Sequence, residues 1–259
     1  MSRMWQLLCC VVIVILQGCT TESRSSSQLD PDANTAKATQ ARLDAGWGYL
    51  SSNNIGQAKR HLDKAYSYSP NNSDVNRALA HYYERVGEVV EAEKFYRKAI
   101  SLNSKNGDAL SDYGVFLCRA GKFAKAQELF DDAVKIPTYE NVASTLENAG
   151  ICAHKMGNSS GAEELFLRSV RHNAKQPTAL LELANIELGR NRLERAKQYY
   201  QRHIEVANDT SRSLWIGVQV NQAMGDKNAV SSLGLKLERM FPDSDETLRY
   251  LDAKAKWKK

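Results

Sequence analysis

Five cysteines and five histidines carry most of the reactive chemistry in this 259-residue chain. The cysteines fall into three groups. Cys9 and Cys10 lie inside an apolar run from Leu7 to Leu16, Cys19 follows directly on Leu16-Gln17-Gly18, and Cys118 and Cys152 stand in the body that remains. Cys118 with His154 could form a thiol nucleophile and its base. His61, His81, His154, His172 and His203 are scattered, with no pair at helical ligand spacing, so surface or packing roles are expected rather than metal binding. A nucleophile elbow, a phosphate loop and Cys-pair zinc spacing are all missing. Gly46-Trp47-Gly48 starts like a dinucleotide fingerprint, but Ser51 stands where the third glycine belongs. It reads better as close helix packing. The expectation is a non-enzyme without metal or cofactor.

Cys19 closes an N-terminal segment with Arg3 in front and an apolar stretch of about ten residues behind. That stretch is too short to cross roughly 30 Å of hydrocarbon as a helix. A Cys directly after Leu-Gln-Gly resembles the bacterial lipobox. The resemblance implies a signal peptide over residues 1–18, a diacylglycerol on the Cys19 thiol and a mature chain starting there. Thr20 rather than Asp follows, which in Gram-negative lipoproteins implies sorting to the outer membrane, on its periplasmic face. The next stretch, 19–38, is rich in Ser, Thr and Asp and has no apolar periodicity. Such a segment cannot offset its ordering entropy by burial and reads as a flexible tether.

In an oxidising compartment the even pair Cys118 and Cys152 is expected to form a disulfide rather than a reactive thiol. The formal charge of +5 falls to +4 once Arg3 leaves with the leader. Basic and acidic residues are interleaved, which argues against a nucleic-acid partner.

The remaining chain keeps a clock. Ala58, Ala92, Ala126, Ala162, Ala196 and Val230 recur at spacings of 34, with a single 36 before Ala162. Four residues after each stand Leu62, Tyr96, Phe130, Phe166, Tyr200 and Gly234, and five before each stand Asn53, Gly87, Gly121, Gly157, Asn191 and Gly225. A 34-residue period of turn residue, small residue and aromatic is the tetratricopeptide pattern. Each repeat is a helical hairpin that cannot bury its own apolar face and so stacks on its neighbours. The fold class is therefore all-α, a right-handed superhelix of six hairpins over 39–257. The repeats are 39–72, 73–106, 107–140, 143–176, 177–210 and 211–244, and a C-terminal helix follows near 245–257. The sixth repeat is degenerate, as expected of an end that meets water, and the extra residues at Pro137–Asn141 mark an altered loop.

Two stretches are more specific than the repeat itself: Asp112-Tyr113-Gly114-Val115-Phe116-Leu117-Cys118 with Gly121, and Leu146-Glu147-Asn148-Ala149-Gly150-Ile151-Cys152. With the lipobox, the six repeats and Pro137-Thr138-Tyr139, they make the chain resemble the type IV pilus biogenesis lipoproteins of the PilF/PilW family. The resemblance implies a pilotin, a lipid-anchored protein that helps the pilus secretin reach the outer membrane and assemble into its ring. A pilus-stability role belongs to the same family. A lipoprotein scaffold for cell-wall enzymes or outer-membrane barrel assembly is the competing reading.

In such superhelices the first helix of each hairpin lines the concave face. One face of those helices carries Leu43, Trp47 and Leu50, then Arg77, His81 and Glu84, and further along Leu181, Leu188 and Trp215. Leu43, Trp47, Leu50, Arg77 and His81 are the candidate partner-binding groove, with Trp47 as its anchor. Burial of the three apolar residues between hairpins is the alternative.

Overall fold

The computed structural model describes residues 31–257. The signal segment, the Cys19 lipidation site and most of the tether lie outside the described residues. Thirteen helices follow one another among the described residues. The first hairpin is α1 (Pro31–Ser51) and α2 (Ile55–Tyr68), the second α3 (Ser73–Arg85) and α4 (Val89–Leu102), the third α5 (Gly107–Arg119) and α6 (Phe123–Val134). The fourth is α7 (Val142–Lys155) and α8 (Ser159–His172), the fifth α9 (Pro177–Gly189) and α10 (Leu193–Ile204), the sixth α11 (Ser211–Ala223) and α12 (Lys227–Met240). Then comes α13 (Asp245–Trp257).

Every hairpin turn holds one residue at positive φ: Asn53, Gly87, Gly121, Gly157, Asn191 and Gly225. These are the six turn positions of the 34-residue clock. The left-handed conformation costs Gly nothing and Asn little, so the chain reverses within three residues. Asn54, Asn72, Asn106, Asn158 and Asp226 then cap the helices that follow, each side chain accepting from a backbone N–H three residues on.

Within a hairpin, a missing Cβ on the first helix admits the large residue of the second. A Cβ on Gly46 would sit 2.4 Å from Leu62, and one on Gly114 or Gly150 would sit 2.6 Å from Phe130 or Phe166. Ala58, Ala92, Ala126, Ala162 and Ala196 are fully buried, which lets the helices close up. First helices pack on the first helices of the next hairpin, and each second helix touches its own first helix and the next one. Among the described residues the backbones of successive second helices stand apart, and they meet through long side chains, as where Tyr66 of α2 touches Phe95 and Lys98 of α4. The spacing therefore opens on the second-helix side. The first helices α1, α3, α5, α7, α9 and α11 form the concave inner layer, and the second helices form the convex outer one.

Two features depart from the sequence reading, and a third gives the expected altered loop its role. Helix α1 begins at Pro31, inside the stretch expected to be tether. Proline suits the first turn of a helix, and Ala33, Ala36 and Ala38 favour continuing it. The sixth hairpin is degenerate for a packing reason rather than a solvent one. Gly234 is buried, and Tyr250 of α13 fills the aromatic's place, 2.0 Å from where a Cβ on Gly234 would stand. The missing aromatic is supplied from the next helix. Finally, the longer connection between α6 and α7 is a strut. Tyr139 lies on Gly107, donates to Asp108 Oδ1 at 3.2 Å and sits 2.9 Å from Thr145 Oγ1. The loop thus fastens the third hairpin to the fourth.

Candidate partner-binding groove

The groove cluster begins on α1. Leu43, Trp47 and Leu50 were grouped as one lining surface, and the structure separates them. Leu43 and Leu50 are 4% and 5% exposed and belong to the core under the first two hairpins. They do not line the groove. At about 100° per residue, Leu50 lies roughly 20° to one side of Leu43 and Trp47 roughly 40° to the other. That difference turns the two leucines inward and leaves Trp47 half-buried at the edge.

Trp47 meets the next first helix. Its ring contacts the His81 imidazole edge-on, with centroids 4.9 Å apart, and the Arg77 guanidinium lies 4.9 Å over it. Arg77 and His81 are one turn apart on α3 and share a carboxylate on α5. Arg77 Nη1 reaches Asp112 Oδ2 at 3.1 Å and His81 Nε2 reaches the same oxygen at 2.8 Å. Asp108, one turn back, stands 3.6 Å from Arg77, and Asp74 stands 3.7 Å from its Nε. The Arg77 Nε is buried and makes no hydrogen bond. Three of the five expected groove residues, Trp47, Arg77 and His81, therefore form one cluster.

Aromatic contacts extend the cluster through Tyr96 of α4 to α5. Tyr96 touches His81 edge-on at 5.7 Å, stacks on Tyr113 at 5.6 Å and donates to Glu84 Oε2 at 2.9 Å. Burial, with the Glu84 carboxylate next to it, pushes the Tyr96 hydroxyl far above the usual tyrosine range. Glu84 is held in turn by Arg119. The side chains thus read across three successive first helices: Trp47 on α1, Arg77, His81 and Glu84 on α3, and Asp108, Asp112 and Arg119 on α5.

Beyond α5 the inner layer is braced. The Cys118–Cys152 disulfide joins α5 to α7, with Cα atoms 5.8 Å apart. Both half-cystines are buried, 7% and 3% exposed, so the bridge is part of the core. Further on, Glu147 Oε2 accepts from the Ala179 N–H at 2.8 Å, capping α9 from the previous hairpin where Gln176 makes no side-chain cap. Burial raises the Glu147 carboxyl above its ordinary value, and the nearby Glu182 adds to the rise. Glu182 itself is clamped by both guanidinium nitrogens of Arg212 on α11. Leu181 is buried, while Leu188 and Trp215 are half-buried. The far end of the layer is therefore a chain of charge pairs, and the aromatic shelf belongs to the first three hairpins.

The sequence reading did not assign Asp108 or Asp112 to the groove. The signal was there. Arg77 and His81 stand at i and i+4, Asp108 and Asp112 stand at i and i+4, and one repeat separates the two pairs. Opposite charges in that register must meet when first helices lie side by side.

Such a surface suits peptide recognition. Trp47 offers apolar area, and the polar side chains around it offer hydrogen bonds whose positions are fixed by their own partners.

Family models for the tetratricopeptide repeat match residues 43–108, 95–128 and 149–211. The chain is 31% identical over 236 residues to the type IV pilus assembly protein PilF of Pseudomonas aeruginosa, an alignment covering 91% of this chain and 93% of that one. The solved structure of Pseudomonas aeruginosa PilF superposes with a TM-score of 0.78 at 30% identity, covering 85% of this chain and 99% of that one. PilW, described as a widely conserved type IV pilus biogenesis factor, gives 0.70 at 26% identity over 82% and 98%. An uncharacterised Haemophilus influenzae protein is 38% identical over 149 residues, which is 58% of this chain and 80% of that one.

Proposed function

Because the chain belongs to the PilF/PilW family of type IV pilus tetratricopeptide proteins, we propose that it is a pilotin. In this reading it binds the pilus secretin as a scaffold rather than a catalyst. A lipid on Cys19 holds it on the periplasmic face of the outer membrane, where it promotes assembly of the secretin ring.

The observation that carries the reading is the Trp47–Arg77–His81–Asp112 cluster. It is an aromatic anchor braced by charged side chains, on the inner layer of the three hairpins nearest the anchor end. An aromatic held in place loses little entropy on binding, and such residues carry much of the energy of protein interfaces. The lipobox supports the location. No helix among the described residues is long and apolar enough to cross a membrane, so a covalent lipid would supply the attachment.

The test is co-purification of secretin with lipidated protein, together with counting of secretin multimers in outer membranes. Truncating an anchor commonly costs about 2 kcal/mol or more, so Trp47→Ala weakens secretin binding by roughly thirtyfold. It also reduces surface piliation while the helical circular dichroism is preserved. Cys19→Ala abolishes incorporation of labelled fatty acid and removes the protein from the outer membrane. Normal secretin multimers with a stably folded Trp47→Ala protein would refute the groove assignment. Undiminished labelling of Cys19→Ala would refute the anchor.

A further inference from the structure

The outer layer contains a built cavity that the groove does not use. Helix α10 stops at Ile204, and residues 205–210 bridge to α11. Thr210 and Ser213 form a reciprocal capping box at the end of that bridge, and Asp209 pairs with Lys236 of α12. The bridge is thereby held open over the gap between α10 and α12, whose backbones stand apart. The space measures about 550 Å³, within the range of small-molecule and side-chain pockets.

Its floor is polar. Tyr200 and Asn221 both line it and are only 5% and 7% exposed. The Asn221 amide nitrogen donates to the Gly217 carbonyl at 2.8 Å, which leaves the amide oxygen as the remaining acceptor. Neither that oxygen nor the Tyr200 hydroxyl has a hydrogen-bond partner among the described residues. The hydroxyl lies against Gly217, 2.2 Å from where a Cβ would stand, so the absence of that Cβ is what seats it. The walls are apolar, with Leu233 half-buried and Ile204 48% exposed. At the rim Asp209 neutralises Lys236, while Lys197 has no ion pair among the described residues. The cavity therefore offers an apolar wall, one acceptor and one hydroxyl open to it without a protein partner among the described residues, and one net positive charge.

We propose that this cavity is a second peptide site, on the face opposite the groove, which takes an apolar residue with an adjacent carboxylate from a partner protein. The apolar side chain lies on Leu233 and Ile204, the residue's N–H satisfies the Asn221 oxygen, and the carboxylate meets Lys197. The carboxylate can come from a chain terminus or from an acidic side chain next in sequence. The chemistry is the same for both. The proposal does not depend on the groove reading.

The test is amide-resolved NMR titration of the folded protein with three probes: N-acetyl-leucine, N-acetyl-leucinamide and N-acetyl-Leu-Asp-amide. N-acetyl-leucine shifts amides within 197–209 and 229–236, and removal of its charge in the amide form weakens binding about tenfold. Lys197→Met brings the two probes to equal affinity. Ser232→Trp, at an exposed rim position, closes the mouth and abolishes the shifts. Trp47→Ala leaves them unchanged. If N-acetyl-Leu-Asp-amide binds as well as N-acetyl-leucine, the site accepts an internal acidic residue; if it binds as poorly as the leucinamide, the site reads a chain terminus. No shift from any probe at about 10 mM, or shifts that survive both Lys197→Met and Ser232→Trp in folded protein, would overturn the proposal.

Discussion

Replacing Cys118 and Cys152 together by alanine opens a covalent loop whose ends are 34 residues apart. For a loop of that size the chain-entropy relation gives about 3.8 kcal/mol at 25 °C, all of it from the freedom returned to the unfolded chain. A folded body of this size has a urea slope of about 2.5 kcal/mol per molar. The midpoint of unfolding therefore drops by about 1.5 M. The loss is not spread evenly. Repeat arrays are held by nearest-neighbour interfaces, and the bridge crosses the one between the third and fourth hairpins. Trp47 reports the first hairpin and Trp215 the sixth, so fluorescence and amide hydrogen exchange can follow the ends and the centre separately. Protection in α5 to α8 falls first, and wild-type protein under reductant matches the double variant. A midpoint shift below roughly 0.3 M, or faster exchange confined to α1 and α2, would refute the reasoning.

Other outcomes follow from single contacts. A Cβ on Gly107 would stand 2.4 Å from the Tyr139 ring, so Gly107→Ala displaces the strut and costs about 1–3 kcal/mol; calorimetry shows the loss, and a Tyr139→Ala background removes it. Burial raises the Glu147 carboxyl above 4.5, so the folded state holds this proton more tightly than the unfolded one. That contribution is full below pH 4.5 and is lost as pH rises through the folded-state value. Glu147→Gln, which can still accept from the Ala179 N–H, is therefore more stable than wild type at pH 7, and denaturation midpoints converge below pH 4.5. The Lys122 ammonium, with Tyr113 also donating, holds the Glu93 carboxyl below its ordinary value. Lys122→Met raises it toward 4.5 in a side-chain NMR titration, and an unmoved titration would refute the pairing.

The positions that define the hairpins were legible because each rests on a local rule. Positive φ selects Gly or Asn, and close helix approach selects Ala, whatever the partner surface does. Cys118 and Cys152 were legible as an even pair in the folded body, and the bridge joins them in the structure. The groove was legible only in part. An apolar stripe at i, i+4 and i+7 does not say where the core ends, and a rotation of roughly 40° separates buried Leu43 from half-open Trp47. The Gly234–Tyr250 exchange was hidden because its partner comes from the next helix and not from the repeat's own pattern. The outer cavity was less visible still, since it depends on where α10 stops and on the gap that stacking leaves between second helices.

That exchange has a consequence for how the chain is completed. Every earlier hairpin carries its filler on its own second helix, so it can close as soon as that helix has left the ribosome. The sixth cannot. Its space over Gly234 stays empty until Tyr250 arrives from α13, after every other hairpin has been delivered. A product cut short between residues 241 and 249 would hold all six hairpins and still end in a hole the size of a phenol ring, with Leu237 and Val230 beside it in the same cluster. A protease that samples loosened helix ends would meet such a product as an unfinished one. The aromatic borrowed from downstream thus ties the closing of the last hairpin to α13, and a chain lacking Tyr250 ends in a looser pair of helices.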